Sequence, residues 1–357
     1  MNQSRREFLA GASAAAAAAL AGCRTEPFVA KRPAEGKLIK CLYMQLGQHM
    51  WRGPMDTWDG KVRGDKNAPY DAEARWVVEH WDRLRFDEGS WTRITEYAAK
   101  RGLNAIELDL AEGVRYPSHP ELAVSDSWSA ERLRDEVKRL ADMGLELIPA
   151  LNFSACHDIW LGEYSRMVST RRYYQVCADL IADVCEICGT PRLMSIGYDE
   201  ESPRLQRNQN FCICRQGDLW WHDLYWFVNE VEKRGVRALM AADYAWDHKE
   251  TYLRKAPRSV LQSNWYYGAE FDPKKMKHPE YLLTYDELEK AGFDQFPGGG
   301  NHACATNMGD TVRYCSKVIA PERLKGYQAS VWRYTTPEND QRHFDAIDQL
   351  AAATEGV

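Results

Sequence analysis

No run of this sequence is long and apolar enough to anchor it across a bilayer. The nearest candidate, "AGASAAAAAAL" (10–20), is short and mostly alanine. No Lys/Arg-rich stripe is present either, and the net charge of -6 offers nucleic acid no general attraction. No G-x-G-x-x-G turn follows the first strand-like segment, which weighs against a doubly wound dinucleotide fold. Cysteine is not scarce, at ten residues, but its spacing lacks the usual signatures. Cys177, Cys185 and Cys188 lie in one helical stretch, and Cys212 and Cys214 flank a single residue, which is poor disulfide geometry. Small buried side chains are the default reading of such cysteines. No cofactor is implied.

What is present begins with an address. "SRREFL" (4–9) carries twin arginines followed by Phe and Leu, and "LAGC" (20–23) places a cysteine after small residues. The combination resembles a twin-arginine export signal ending in a lipoprotein box. It implies a signal peptide over 1–23, lipidation at Cys23, and a polar tether over 24–36. The expected location is the periplasm or cell surface, with membrane contact only through the lipid. Lipidation would leave nine cysteines, so at least one is free or pairs between molecules.

From residue 37 to 357 the chain repeats one unit. "SWTRITEYAAKRG" (90–102) reads as a helix, with Ser90 as N-cap and Gly102 as stop, and "LNAIELDL" follows as a strand. "SAERLRDEVKRLADMG" (129–144) sets Leu133, Val137, Leu140 and Met143 on one face and leads into "LELIPALNF". Helices over 171–189 and 218–235 lead into "RLMSIGY" and "VRALMAADY". The stop glycines, Gly102, Gly144, Gly189 and Gly235, recur every 42 to 46 residues. With "KLIKCLYMQLG" (37–47) first, and "SVLQSNWYY" (259–267), "FDQFPG" (293–298) and "LKGYQASVW" (324–332) last, the strand count is eight. Eight strands alternating with helices predict a single-domain (β/α)8 barrel. The long connection 48–89, with Trp51, Trp58, Trp76 and Trp81, is expected to form a wall of the cleft.

In such a barrel the chemistry sits at the carboxyl ends of the strands. The fourth strand runs into three acids, Asp199, Glu200 and Glu201. Carboxylates are costly to bury unless paired or protonated, so a site mouth is the natural place for them. Adjacent residues share one site only where the strand ends or bulges. Two carboxylates at a cleft suit glycoside hydrolysis. The rival reading is an acid cluster that merely opens the next segment. Other strand ends add Glu107, Asp109, Asn152, His157, Asp243, Trp246, Trp265, Tyr266 and Trp332.

"SIGYDE" resembles the "HIGGDE" motif of family 20 glycoside hydrolases, the β-N-acetylhexosaminidases. "PALNFSACH" (149–157) is similar to that family's "PEIDMPGH", "SNWYYG" (263–268) to its Trp/Tyr-Leu-Asp stretch, and "GYQASVW" (326–332) to "GGQACLW". The resemblance implies a retaining enzyme in which the substrate's own 2-acetamido oxygen attacks the anomeric carbon. It assigns Glu200 as general acid/base and Asp199 as the carboxylate that polarises the acetamido group. It makes Tyr266 the acetamide's hydrogen-bond partner, and Trp332, Trp246 and Trp265 the pocket wall. Glu201 receives no role beyond support or surface, and His157 matches the family histidine with a one-residue offset. This chain departs where the family's strand-three Asp is Asn152 and where its outer-hydroxyl acid is Tyr334. Arg52 is the nearest candidate for the family's sugar-clamping arginine, and His119 is a loop residue that could contact a ligand. Rival functions are a non-catalytic glycan-binding lipoprotein, a glycosidase of other sugar specificity, and an exported redox or metal enzyme using the Cys and His residues.

Overall fold

The computed structural model describes residues 36–47, 81–203, 206 and 211–356. The expectations for the signal peptide, Cys23, the tether, Arg52 and most of the long connection lie outside these residues.

Eight parallel strands form the barrel: β1 (Ile39–Gln45), β2 (Ala105–Asp109), β3 (Glu146–Ala150), β4 (Leu193–Ser195), β5 (Arg237–Ala241), β6 (Leu261–Ser263), β7 (Gly298–Gly300) and β8 (Gly326–Ser330). Their order is β6-β5-β4-β3-β2-β1-β8-β7. Single bridges from Gln262 to Gln295 and from Trp265 to Gly298 join the two ends of that order, so the ring is nearly closed. Among the described residues eight helices surround it: α1 (Glu88–Lys100), α2 (Ala130–Asp142), α3 (Arg171–Ile187), α4 (Asp218–Glu232), α5 (Tyr244–Lys255), α6 (Glu280–Lys290), α7 (Asn307–Val318) and α8 (Asp340–Ala353). The molecule is a (β/α)8 barrel.

The repeat's punctuation has a backbone cause. Gly102, Gly144, Gly189 and Gly235 all hold φ between 68° and 82°, the left-handed turn that ends a helix and that glycine adopts without a Cβ penalty. The start of α1 differs from expectation: Asp87 is the N-cap, and its carboxylate accepts the Ser90 N–H at 2.7 Å. An aspartate one turn earlier caps the same donors and adds a charge favourable to the helix dipole. The seventh strand also differs, since it is the glycine triplet 298–300 and not 293–298. A Cβ on Gly299 would meet Thr311 Oγ1 at 2.8 Å and Asn307 Oδ1 at 2.9 Å, so α7 packs directly on bare backbone there.

Inside the barrel the side chains change character along the axis. Ile39, Cys41, Ala105, Ile148, Leu193, Leu239, Leu261 and Phe296 form one buried apolar cluster. Two residues further along their strands, Tyr43, Glu107 and Ser195 take the same face, and β8 adds Gln328 and Ser330. The apolar plug excludes water below, and the polar layer above it floors the mouth.

Candidate active site

The quoted acids sit on an irregular segment. β4 is only three residues long, and beyond it Gly197, Tyr198 and Glu200 take φ of 61°, 71° and 56°. Left-handed backbone costs a non-glycine residue roughly 1–2 kcal/mol, so something must hold it. The Tyr198 N–H donates to Asn152 Oδ1 at 3.3 Å, and the Glu200 N–H donates to Asp243 Oδ2 at 2.8 Å. The Ala241 N–H donates to the Gly197 carbonyl at 2.9 Å. Gly197 is required twice, because any Cβ there would overlap the Asn152 side chain.

These twists bring both carboxylates to one point. His157 Nε2 lies 3.5 Å from Asp199 Oδ2 and 3.4 Å from Glu200 Oε2. The Asp199 and Glu200 side chains keep 16% and 30% exposure, enough to meet a ligand, while His157 keeps 1%. Asn152 Nδ2 donates to Asp199 Oδ1 at 2.7 Å. An aspartate at position 152 could not donate that bond. Burial disfavours a charged His157 ring, but Cys156, Asp199 and Glu200 outweigh it and raise the ring's pKa well above the ordinary value.

Three further acids lie close by. Burial, then the charge of Asp199, pushes Asp243 well above the usual carboxylate range. Its Oδ1 has no hydrogen-bond partner among the described residues. Burial takes Glu107 up to about 7, against hydrogen bonds from Ser195 and Gln328. Burial likewise takes Asp109 up to about 8, with Tyr43 donating to it at 2.9 Å.

The other side of the mouth is aromatic. Trp332, itself at φ 53°, donates its indole N–H to Tyr267 Oη at 3.1 Å and packs on Tyr43 with ring centroids 5.1 Å apart. Tyr267 stacks on Trp265 at 5.4 Å, and Trp265 meets Trp246 edge-on at 4.6 Å. The Trp246 indole N–H donates to Asn264 Oδ1 at 2.9 Å. Trp332, Trp265 and Trp246 thus form one continuous chain through Tyr267. Asp199 and Glu200 act electrostatically on the same Tyr267, which joins the aromatic chain to the acids.

Several sequence expectations shift here. Tyr266 packs against Phe271 at 5.3 Å and Tyr281 at 6.3 Å, while its neighbour Tyr267 takes the hydrogen bond from Trp332. Side chains alternate along an extended chain, so the two neighbouring tyrosines take opposite faces. Glu201 is not at the surface: its side chain is 2% exposed and pairs with Arg215 at 3.0 Å. His119 is no free loop residue, for its ring nitrogens lie 2.9 Å from Glu121 and 3.4 Å from Asp179, tying its loop to α3. Tyr334 is buried, and its hydroxyl accepts a hydrogen bond from Arg85, whose guanidinium lies 3.5 Å from the Trp81 ring centre and 4.7 Å from that of Tyr334. Sequence reasoning missed Arg85 and Arg215, because neither falls in a motif.

His157, Asp199 and Glu200 each offer one atom within 4.8 Å of the others, and they are the one trio among the described residues grouped closely enough to hold a metal ion. No cysteine takes part. Among the described residues no two cysteines are joined in a disulfide.

No protein-family model matches the chain, and no curated protein matches it. Solved structures do. A β-N-acetylhexosaminidase from Bacteroides fragilis superposes with a TM-score of 0.56 at 12% identity, covering 87% of this chain and 65% of that one. A family 20 exo-β-N-acetylglucosaminidase from Vibrio harveyi, in complex with N-acetylglucosamine, gives 0.54 at 12%, covering 88% and 54%. The family 20 β-N-acetylhexosaminidase of Streptomyces coelicolor gives 0.54 at 12%, covering 87% and 64%. The chain therefore spans 54–65% of the length of these three neighbours. What it shares with them, at this identity, is the barrel.

Proposed function

We propose that the chain is a glycoside hydrolase acting on glycans that contain N-acetylhexosamine, with the substrate's acetamido group as nucleophile. The observation that carries this reading is the convergence of Asp199 and Glu200 on His157 beside a wall of tryptophans. Glu200, the more exposed, donates a proton to the leaving oxygen and later takes one from water. Asp199, fixed by the Asn152 amide, accepts the acetamido N–H and sharpens the carbonyl oxygen for attack. Trp332, Trp265 and Trp246 offer faces to the apolar side of the sugar ring.

The neighbouring acids favour substrate assistance over an enzymic nucleophile. A carboxylate must be ionised to attack; burial holds Asp243 well above its usual range, and Glu107, raised to about 7, is only part ionised near neutrality. The test is a panel of aryl glycosides with and without the 2-acetamido group, together with a thiazoline that imitates the cyclic intermediate. Hydrolysis confined to acetamido sugars, with thiazoline inhibition weakened in Asp199→Asn, is the expected result. Equal hydrolysis of both sugar classes with no thiazoline inhibition overturns substrate assistance. We further propose, from the leading segment alone, export with lipidation at Cys23; a Cys23→Ala protein that still fractionates with membranes overturns the anchor.

A further inference from the structure

Behind the acids lies a charged cluster that the chemistry above does not use. Glu201 follows Glu200 directly, yet its carboxylate points away from the mouth. Its Oε2 accepts the Ala155 N–H at 3.0 Å and lies 3.0 Å from Arg215 Nη2. Its Oε1 accepts both the backbone N–H and the Nε–H of Arg215. The Arg215 side chain, 1% exposed, also donates to the Phe153 carbonyl at 2.6 Å and to Tyr198 Oη at 2.9 Å, and lies 3.5 Å from Asp223 of α4. One guanidinium therefore touches the segment after β3, the segment after β4, and α4.

Tyr198 and Glu201 are the residues on either side of Asp199 and Glu200. Both are bonded to the same Arg215, and the four-residue stretch they bound includes two left-handed residues, Tyr198 itself and Glu200. Released at those two points, the segment would relax toward ordinary backbone and carry the carboxylates off their shared position. The planar fork of an arginine can hold three partners at fixed angles at once, which a lysine ammonium cannot. We propose that Arg215, acting through Glu201 and Tyr198, is a positioning residue that keeps Asp199 and Glu200 aimed at one point. The role assigned to those two acids rests on the glycosidase reading; the clamp itself is a statement about the backbone.

The test uses the full chain with Glu201→Gln and Arg215→Lys, the second milder in charge and serving if the first fails to fold. Three quantities are read: amide hydrogen exchange in 193–203 against that in 105–109, kcat and KM on an aryl 2-acetamido glycoside, and the thermal midpoint. The clamp predicts exchange in 193–203 faster by about tenfold or more while 105–109 stays within about twofold. It predicts kcat lower by about 10- to 100-fold with KM within about threefold, because a misplacement near 1 Å acts on the reacting geometry and not on binding. Arg215→Lys should fall between wild type and Glu201→Gln. A lower thermal midpoint with kcat within about twofold of wild type and exchange raised evenly overturns the proposal, leaving a buried pair that only stabilises the fold. If the wild type hydrolyses no glycoside, the glycosidase reading fails by itself, and the exchange pattern alone decides the clamp.

Discussion

From β2 round to β5 the mouth carries Glu107, Asp109, Asn152, His157, Asp199, Glu200 and Asp243; from β6 round to β1 it carries Trp265, Tyr267, Trp332 and Tyr43. The acid arc concentrates three positive-φ residues in the four positions 197–200, while the aromatic arc has one, Trp332. The acid arc is bound by short polar contacts, such as Asn152 to Asp199 at 2.7 Å and Glu200 N–H to Asp243 at 2.8 Å. The aromatic arc is bound chiefly by ring packing at 5.1 and 5.4 Å, and Trp246 after β5 joins it at 4.6 Å. Charge that develops during a reaction must meet groups fixed in advance, so rigidity belongs on the acid side. A sugar face needs only area and shape, which rings supply without strained backbone.

The largest expected effect comes from breaking the acid arc. Glu200→Gln removes the proton donor and should lower kcat on natural glycans by about 10² to 10⁴. The loss should be smaller for aryl glycosides with good leaving groups, which steady-state kinetics on matched leaving groups would show. Full activity of this variant on natural glycans would remove Glu200 from the acid role.

Next comes the stability cost of the buried acids. Glu107 is raised from 4.5 to about 7 in the folded state. Its folded form holds a proton that the unfolded chain has lost between those values, so stability falls as pH rises through that window. A difference of about 2.5 units corresponds to roughly 3 kcal/mol. Glu107→Gln should therefore flatten the decline between pH 4.5 and about pH 7 by about that amount in urea unfolding. An unchanged pH profile would show that Glu107 is not the group responsible.

The smallest effect belongs to the aromatic arc. Trp265→Ala removes one ring from the chain Trp332–Tyr267–Trp265–Trp246 and should raise KM about tenfold with kcat nearly unchanged, the pattern of lost uniform binding. A fall in kcat as large as that of Glu200→Gln would erase the distinction between the two arcs.

The division also marks what could be read in the sequence. The barrel was legible because its signals are local: stop glycines at a fixed spacing, amphipathic helices, short apolar strands. β7 escaped because three glycines carry no strand propensity, and only packing against Thr311 and Asn307 of α7 explains them. The placement of Asp199 and Glu200 at a strand end followed from the cost of burying charge, and the structure brings them together with His157. Arg215 and Arg85 stayed hidden because their meaning lies in partners distant in sequence: Phe153 for the first, Tyr334 for the second.

The pairing of β1 with β8 has a consequence for how the molecule is made. Ile39 through Tyr43 align with Gly326 through Ser330, so the first strand's neighbour on that side comes last in the chain. Until β8 exists, β1 presents an open edge of unpaired amides, a template for stray pairing with other chains. Closing so long a loop carries a large entropic cost before any contact rewards it, which slows the final step of folding. The ring, with the mouth it supports, is therefore complete only once the last strand has paired with the first.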